Sequence, residues 1–96
     1  MSEMTFQHVV ERSRAFIVEN FLYMRPNATV NERDSLLEKG IVDSMGVMEL
    51  VAFLEDEFGV VMRDTEITEA NLGSLGAIAR FVTSRVNGEE PAARSA

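Results

Sequence analysis

The stretch GIVDSMGVMELVAFLEDEF, residues 40–58, decides how the rest of the chain is read. At about 100° per residue, Val47, Leu50, Val51, Leu54 and Phe58 fall on one stripe, the pattern of a helix facing a core. Met45, Met48 and Ala52 fall on roughly the opposite side, bordered by Glu49, Glu55 and Asp56. The helix thus carries two apolar faces, and the second, ringed by carboxylates, needs a partner. Asp43 and Ser44 open it after an extended Gly-Ile-Val approach, and either side chain can accept from the free amides of a first turn. A capping box is missing in both registers, because Gly46 and Val47 stand where a Glu or Gln would reach back. If Asp43 caps, the Ser44 hydroxyl is left free at the positive end of a helix, where a phosphate group is favoured. The plainer alternative is that the Asp-Ser pair is a cap and nothing more.

Upstream, Thr5 can cap a first helix after a frayed start at residues 1–4. Phe6, Val9, Val10, Ser13, Phe16, Ile17, Asn20, Phe21 and Met24 keep helical spacing to about residue 24. Pro26 ends that helix, since proline disfavours helical geometry in the residue before it. The single histidine, His8, lies off the stripe and is expected to face solvent. The long connection of residues 27–42 contains DSLLEKG, a short helical turn closed by Gly40, with Leu36 and Leu37 pinning the loop to the core. Downstream, Gly59 is a C-terminal cap and Val60, Val61 and Met62 are a short extended piece. Residues 64–72 form a short third helix with Ile67 and Leu72 apolar. Ser74 caps a fourth, whose inner stripe is Leu75, Ile78, Ala79, Val82 and Val86 and which Asn87 and Gly88 end. The fold class is all-α: a small four-helix bundle, three main helices and one short one, with a long first loop. Residues 1–88 form the domain, and residues 89–96 have almost nothing to bury and are expected to stay disordered.

Composition narrows the function. The 96 residues include no cysteine, so disulfides and thiolate metal sites are excluded, and any thiol must come from an added group. No apolar run approaches the roughly 20 residues that span a bilayer, and no signal pattern opens the chain, so a cytoplasmic monomer with no membrane partner is expected. The formal charge of −7 is concentrated in residues 43–72, which hold eight acids against Arg63 alone, while the other 66 residues are neutral. Such a field repels nucleic acid and steers basic surfaces toward the Ser44 helix. The acids of residues 64–72 do not form a calcium loop, which needs alternating ligands, a central glycine and a closing glutamate.

Asp43, Ser44 and Met45, followed by Val47, Glu49, Leu50, Val51, Leu54, Glu55, Glu57 and Phe58, resemble the prosthetic-group segment of the acyl and peptidyl carrier proteins. The flanking segments fall where that family's four-helix pattern puts them. The resemblance implies that Ser44 carries 4'-phosphopantetheine derived from coenzyme A, flanked by Asp43, with an acyl or aminoacyl cargo held as a thioester. It also implies a phosphopantetheinyl transferase working with magnesium, an acyl- or aminoacyl-activating ligase, and synthase or acyltransferase enzymes as partners, and a first loop pinned to hold the attachment point. The chain is then expected to be a free-standing carrier in fatty-acid, polyketide or related specialised biosynthesis. Gly46 departs from many fatty-acid carriers, which hold an acidic residue there; it weakens the first turn by about 1 kcal/mol relative to alanine. The Asp-Ser-Met-Gly run is also similar to aminoacyl and D-alanyl carriers served by AMP-forming ligases.

Met45 and Met48, as adaptable thioethers, are read as contacts, with Glu49, Ala52, Glu55 and Asp56 completing the docking face. Leu75, Ile78, Phe81 and Phe53 either line a space for an acyl chain or are ordinary core. Catalysis is not expected, because a serine nucleophile needs a base and an orienter behind it, and neither Asp43 nor His8 supplies one. An unmodified helical adaptor that grips a basic amphipathic helix is the competing reading.

Overall fold

The computed structural model describes residues 4–25 and 27–87, so the expected tail at residues 89–96 lies outside the described residues. The architecture is an all-helical bundle: α1 (Phe6–Phe21), α2 (Ser44–Phe58), α3 (Glu69–Leu72) and α4 (Leu75–Val86), with a 3-10 turn at Asp64–Glu66. Among the described residues there is no strand.

α1 starts where Thr5 accepts from the amide of His8 at 3.1 Å and buries Val9, Val10, Ser13 and Ile17. It ends at Phe21, short of the expected residue 24. Leu22 turns into the core at 2 % exposure, its carbonyl accepts from Arg25, and Tyr23 and Met24 are left 70 % and 79 % exposed. Met4 is not frayed: it packs on the core, and its carbonyl accepts from Asn87 at 3.0 Å. The broadest helix contact is α1 on α4, where Leu75, Ile78, Ala79 and Val82 are fully buried. Val86, expected on that stripe, is 39 % exposed, because the stripe passes the end of the core one turn earlier.

α1 and α2 run antiparallel along an aromatic seam. His8 meets the edge of Phe58, Phe16 stacks on Phe53 at 4.2 Å, and Arg12 pairs with Glu57 at 3.0 Å. At the other end of the seam the ring of Phe21 lies against Gly46, so close that a Cβ there would stand 2.6 Å from it.

The third helix predicted over residues 64–72 is broken in two. Ile67 and Thr68 leave helical geometry, and the Thr68 hydroxyl accepts from the amide of Asn71 to start α3 afresh. Glu66 ties this region together: it accepts from the Arg63 amide at 2.9 Å and pairs with Arg85 of α4. The Arg63 amide first, and Arg85 next, hold the Glu66 carboxyl below its usual range, and the Asn31 amide and Lys39 do the same for Asp34. Both groups bind protons less readily folded than unfolded. Their stabilisation is therefore complete above the unfolded values of 4.5 and 3.8 and is lost as pH falls through the lower folded ones. Melting temperature should drop below about pH 4.5, and less steeply for Glu66→Gln. Parallel wild-type and Glu66→Gln profiles in calorimetry would contradict this.

Candidate functional site

The sequence left open which of two residues caps α2, and the geometry resolves it. Asp43 is extended at φ −94 and ψ 178, its carboxylate accepts from the Gly46 amide at 2.7 Å, and its carbonyl accepts from Val47 at 3.1 Å. A cap of this kind contributes about 0.5–2 kcal/mol. Ser44 is thereby released to be the first helical residue, exposed, with no hydrogen bond to its hydroxyl among the described residues. The amides of Ser44 and Met45 also lack an acceptor, the usual condition of a helix start.

The other serines of the described residues are committed or covered. Ser35 and Ser74 accept from the amides of Glu38 and Ala77, Ser13 is fully buried, and Ser84 is half-buried on α4.

The approach to Ser44 is built around Leu36. Its amide donates to the Gly73 carbonyl at 2.9 Å, and its own carbonyl accepts from both Ile41 and Val42, at 2.9 and 3.1 Å. Gly40 closes the turn with φ +68, a geometry that side chains rarely adopt. Two further ties anchor the first loop: Arg14 of α1 donates to the Val30 carbonyl, and the Gly76 amide of α4 to that of Glu32. Leu36 is 1 % exposed, whereas Leu37, expected to pin the loop beside it, is 44 % exposed. The loop needs only one anchor, because Ile41 and Val42 fill the neighbouring core positions.

Leu37, Val42, Val47, Leu50 and Leu72 line an apolar cavity of about 100 Å³ behind the head of α2. Leu75, Ile78, Phe81 and Phe53 take no part in its lining. Leu75 and Ile78 are solid core, Phe53 stacks on Phe16, and Phe81 lies under the Arg85 guanidinium at 4.8 Å.

Met45 and Met48 are 81 % and 57 % exposed, and with Glu49, Ala52 and Asp56 they make one exposed stripe down α2 from Ser44. The remaining α2 acids have work inside the fold. Glu55 accepts from the Met62 amide at 2.9 Å, and Glu57 holds Arg12. Glu49 and Asp56 have no ion pair among the described residues. His8 lies at the far end of α2 beside Phe58, about 20 Å from Ser44 by helix rise. Asp43 already serves Gly46, and among the described residues no side chain is hydrogen-bonded to the Ser44 hydroxyl.

The hydroxyl of Ser44 is thus exposed and uncommitted at the head of a helix in a small helical bundle. Residues 17–82 match the family model described as phosphopantetheine attachment site, and the chain belongs to that family. It is a carrier of covalently attached 4'-phosphopantetheine and not an enzyme, and such carriers work with a phosphopantetheinyl transferase and with biosynthetic enzymes. No individual curated relative matches the chain. Among the described residues no helix is long and apolar enough to cross a membrane, and no cluster of potential metal ligands occurs. The head of α2 fits a phosphodiester: a free hydroxyl, two unsatisfied amides, and the nearest carboxylate held on Gly46.

Proposed function

We propose that Ser44 is the residue that bears the phosphopantetheine, and that the chain delivers acyl or aminoacyl groups to enzymes of fatty-acid, polyketide or related specialised biosynthesis. The observation that carries this reading is the division of labour at the head of α2. Asp43 caps the helix, and Ser44 keeps an exposed, unbonded hydroxyl. When bound, the group supplies a terminal thiol, which this cysteine-free chain lacks, for holding cargo as a thioester. The chain's own residues do the rest. The positive end of α2 favours the phosphodiester, and the Leu36 turn holds the serine in register. Met45, Met48, Glu49, Ala52 and Asp56 offer a thioether and carboxylate surface to basic partners, with one oxygen of Glu55 in reserve.

Gly46 favours one branch of this reading. Where many fatty-acid carriers place an acidic side chain, this chain seats the Phe21 ring so close that a Cβ would stand 2.6 Å from it. A partner that reads an acid at that position finds none, which supports an aminoacyl or other specialised cargo loaded by an AMP-forming ligase.

Ser44→Ala separates site from fold. The residue is exposed and does not cap, so stability should change by less than about 0.5 kcal/mol, while phosphopantetheine transfer from coenzyme A should be abolished. A Ser44→Ala chain that melts like wild type yet still gains the group would refute the assignment. One that never gains it but retains full partner binding and biological activity would favour the unmodified adaptor.

A further inference from the structure

Between α1 and α2 runs an open groove of about 630 Å³, lined by Phe16, Asn20, Glu49, Ala52, Phe53 and Asp56. Its floor is the stacked pair Phe16 and Phe53, both only half-buried although they bridge two helices. Phe16 also meets Phe21, and Phe53 meets Phe58, each pair with its rings near perpendicular, so the floor is continuous aromatic ring surface. Ala52, small and exposed, keeps the centre open. The Asn20 amide nitrogen donates to the Phe16 carbonyl at 2.9 Å, which leaves the Asn20 side-chain oxygen as an acceptor.

Glu49 and Asp56 border this floor, and neither has an ion pair among the described residues. Arg12, one turn before Phe16 on α1, is held by Glu57 at 3.0 Å. The complement of an apolar floor beside unpaired carboxylates is a small group that joins an apolar side chain to an ammonium. An α-aminoacyl group has both, whereas a plain acyl chain has only the first.

Reach and tether fit that occupant. Ala52 and Asp56 lie eight and twelve residues beyond Ser44 on α2, about 12 and about 18 Å along the helix. A phosphopantetheine arm has about 14 bonds from the serine oxygen to the sulfur, and extended at roughly 1.2 Å per bond, as a peptide backbone is, it spans about 17 Å. A thioester sulfur over Ala52 brings the α-ammonium of its cargo, three bonds further on, toward Asp56. On the way the Asn20 oxygen can accept from an arm amide. A short tether holds its end at a millimolar effective concentration, so a contact of millimolar strength is occupied about half the time.

We propose that the α1/α2 groove is a resting place for the chain's own cargo, an α-aminoacyl group with an apolar side chain: Phe16 and Phe53 receive the side chain, and Asp56 pairs with the ammonium. The proposal rests on Ser44 as the attachment point and deepens that reading by naming the class of cargo. It assigns α1 a part in holding that cargo.

The test compares cargoes on the wild-type chain by amide shifts at about pH 6.5, where the ammonium is charged and carboxylates are ionised. Each cargo is held as an amide on an arm whose thiol is replaced by an amine, so that none hydrolyses. The cargoes are leucyl, 4-methylpentanoyl, which is the same skeleton without the amine, and glycyl. Relative to the unloaded arm, leucyl should shift Phe16, Asn20, Ala52, Phe53 and Asp56. Without the amine, the docked-to-free ratio should fall by up to about 5-fold, the span of one exposed ion pair, and glycyl should leave Phe16 and Phe53 little shifted. Asp56→Asn should bring leucyl down to the level of 4-methylpentanoyl and leave the latter unchanged, because the two changes remove the same contact. Ala52→Arg, which fills the centre of the groove from a solvent-facing position, should abolish the leucyl shifts. Equal groove shifts from leucyl and 4-methylpentanoyl would overturn the proposal, as would leucyl shifts centred on Leu37, Val42, Leu50 and Leu72 of the smaller cavity behind the head of α2. Intact mass is read on every sample. A loaded wild-type chain with a silent groove refutes the groove alone, whereas a wild-type chain that never takes the arm refutes the carrier reading instead.

Discussion

Leu36→Ala is expected to remove about 2–5 kcal/mol of stability, the range for deleting a fully buried leucine side chain. In a chain of this length that lowers the melting midpoint by roughly 10–30 °C. The size of the effect follows from position. Leu36 is 1 % exposed, and its side chain already borders a cavity of about 100 Å³, so the space left by truncation joins an existing void. The backbone bonds from Leu36 to Gly73, Ile41 and Val42 do not need the side chain, but the packing that holds them against the core does. Ser44 follows Val42 by two residues, so the same substitution should slow phosphopantetheine transfer at temperatures where the chain is still folded. Denaturant unfolding and single-turnover transfer on the same sample check both halves. A loss below about 1 kcal/mol would mean that the loop is anchored by its hydrogen bonds alone.

Gly46→Ala is expected to change sign with its neighbour. Alanine gains about 1 kcal/mol of helix propensity over glycine, but its Cβ would stand 2.6 Å from the Phe21 ring, and overpacking of this kind costs about 1–3 kcal/mol. In the wild-type background the substitution should therefore be neutral to destabilising by about 2 kcal/mol. In a Phe21→Ala background, with the ring gone, it should stabilise by about 1 kcal/mol. Four chains measured in urea close the cycle, and a coupling near zero would show that the ring moves aside freely.

Most of the fold was legible because its signals are local. The α2 stripe, the Thr5 and Ser74 caps, the Gly59 C-terminal cap and the closing Gly40 each depend on residues within one or two turns. What was not legible depends on distant partners. Helical spacing continues through Met24, yet α1 stops at Phe21 because Leu22 finds a core position that a continued helix would deny it. Leu36 and Leu37 look alike in sequence, and only the Gly73 carbonyl, 37 residues away, distinguishes the anchor from its exposed neighbour.

The candidate site divides the same way. Asp43 and Ser44 were both legible as possible caps, and the choice between them needed the 2.7 Å bond to Gly46. Gly46 could be noticed as a departure from many fatty-acid carriers, but its reason, the Phe21 ring, lies on another helix. Glu49, Glu55 and Asp56 read alike in sequence as acids of the docking face, and Glu57 follows directly after them. Only the Met62 amide and Arg12 show that Glu55 and Glu57 have internal roles.

Everything proposed for this carrier turns on one residue, Ser44, accepting the prosthetic group. The most direct measurement is peptide-level tandem mass spectrometry of the chain after incubation with coenzyme A, magnesium and a broad-specificity phosphopantetheinyl transferase, beside Ser44→Ala. One phosphopantetheine is expected, on Ser44, with an unchanged mass for Ser44→Ala. A group found on any other residue, or a wild-type chain shown to be unmodified at the outset that gains nothing, would contradict it.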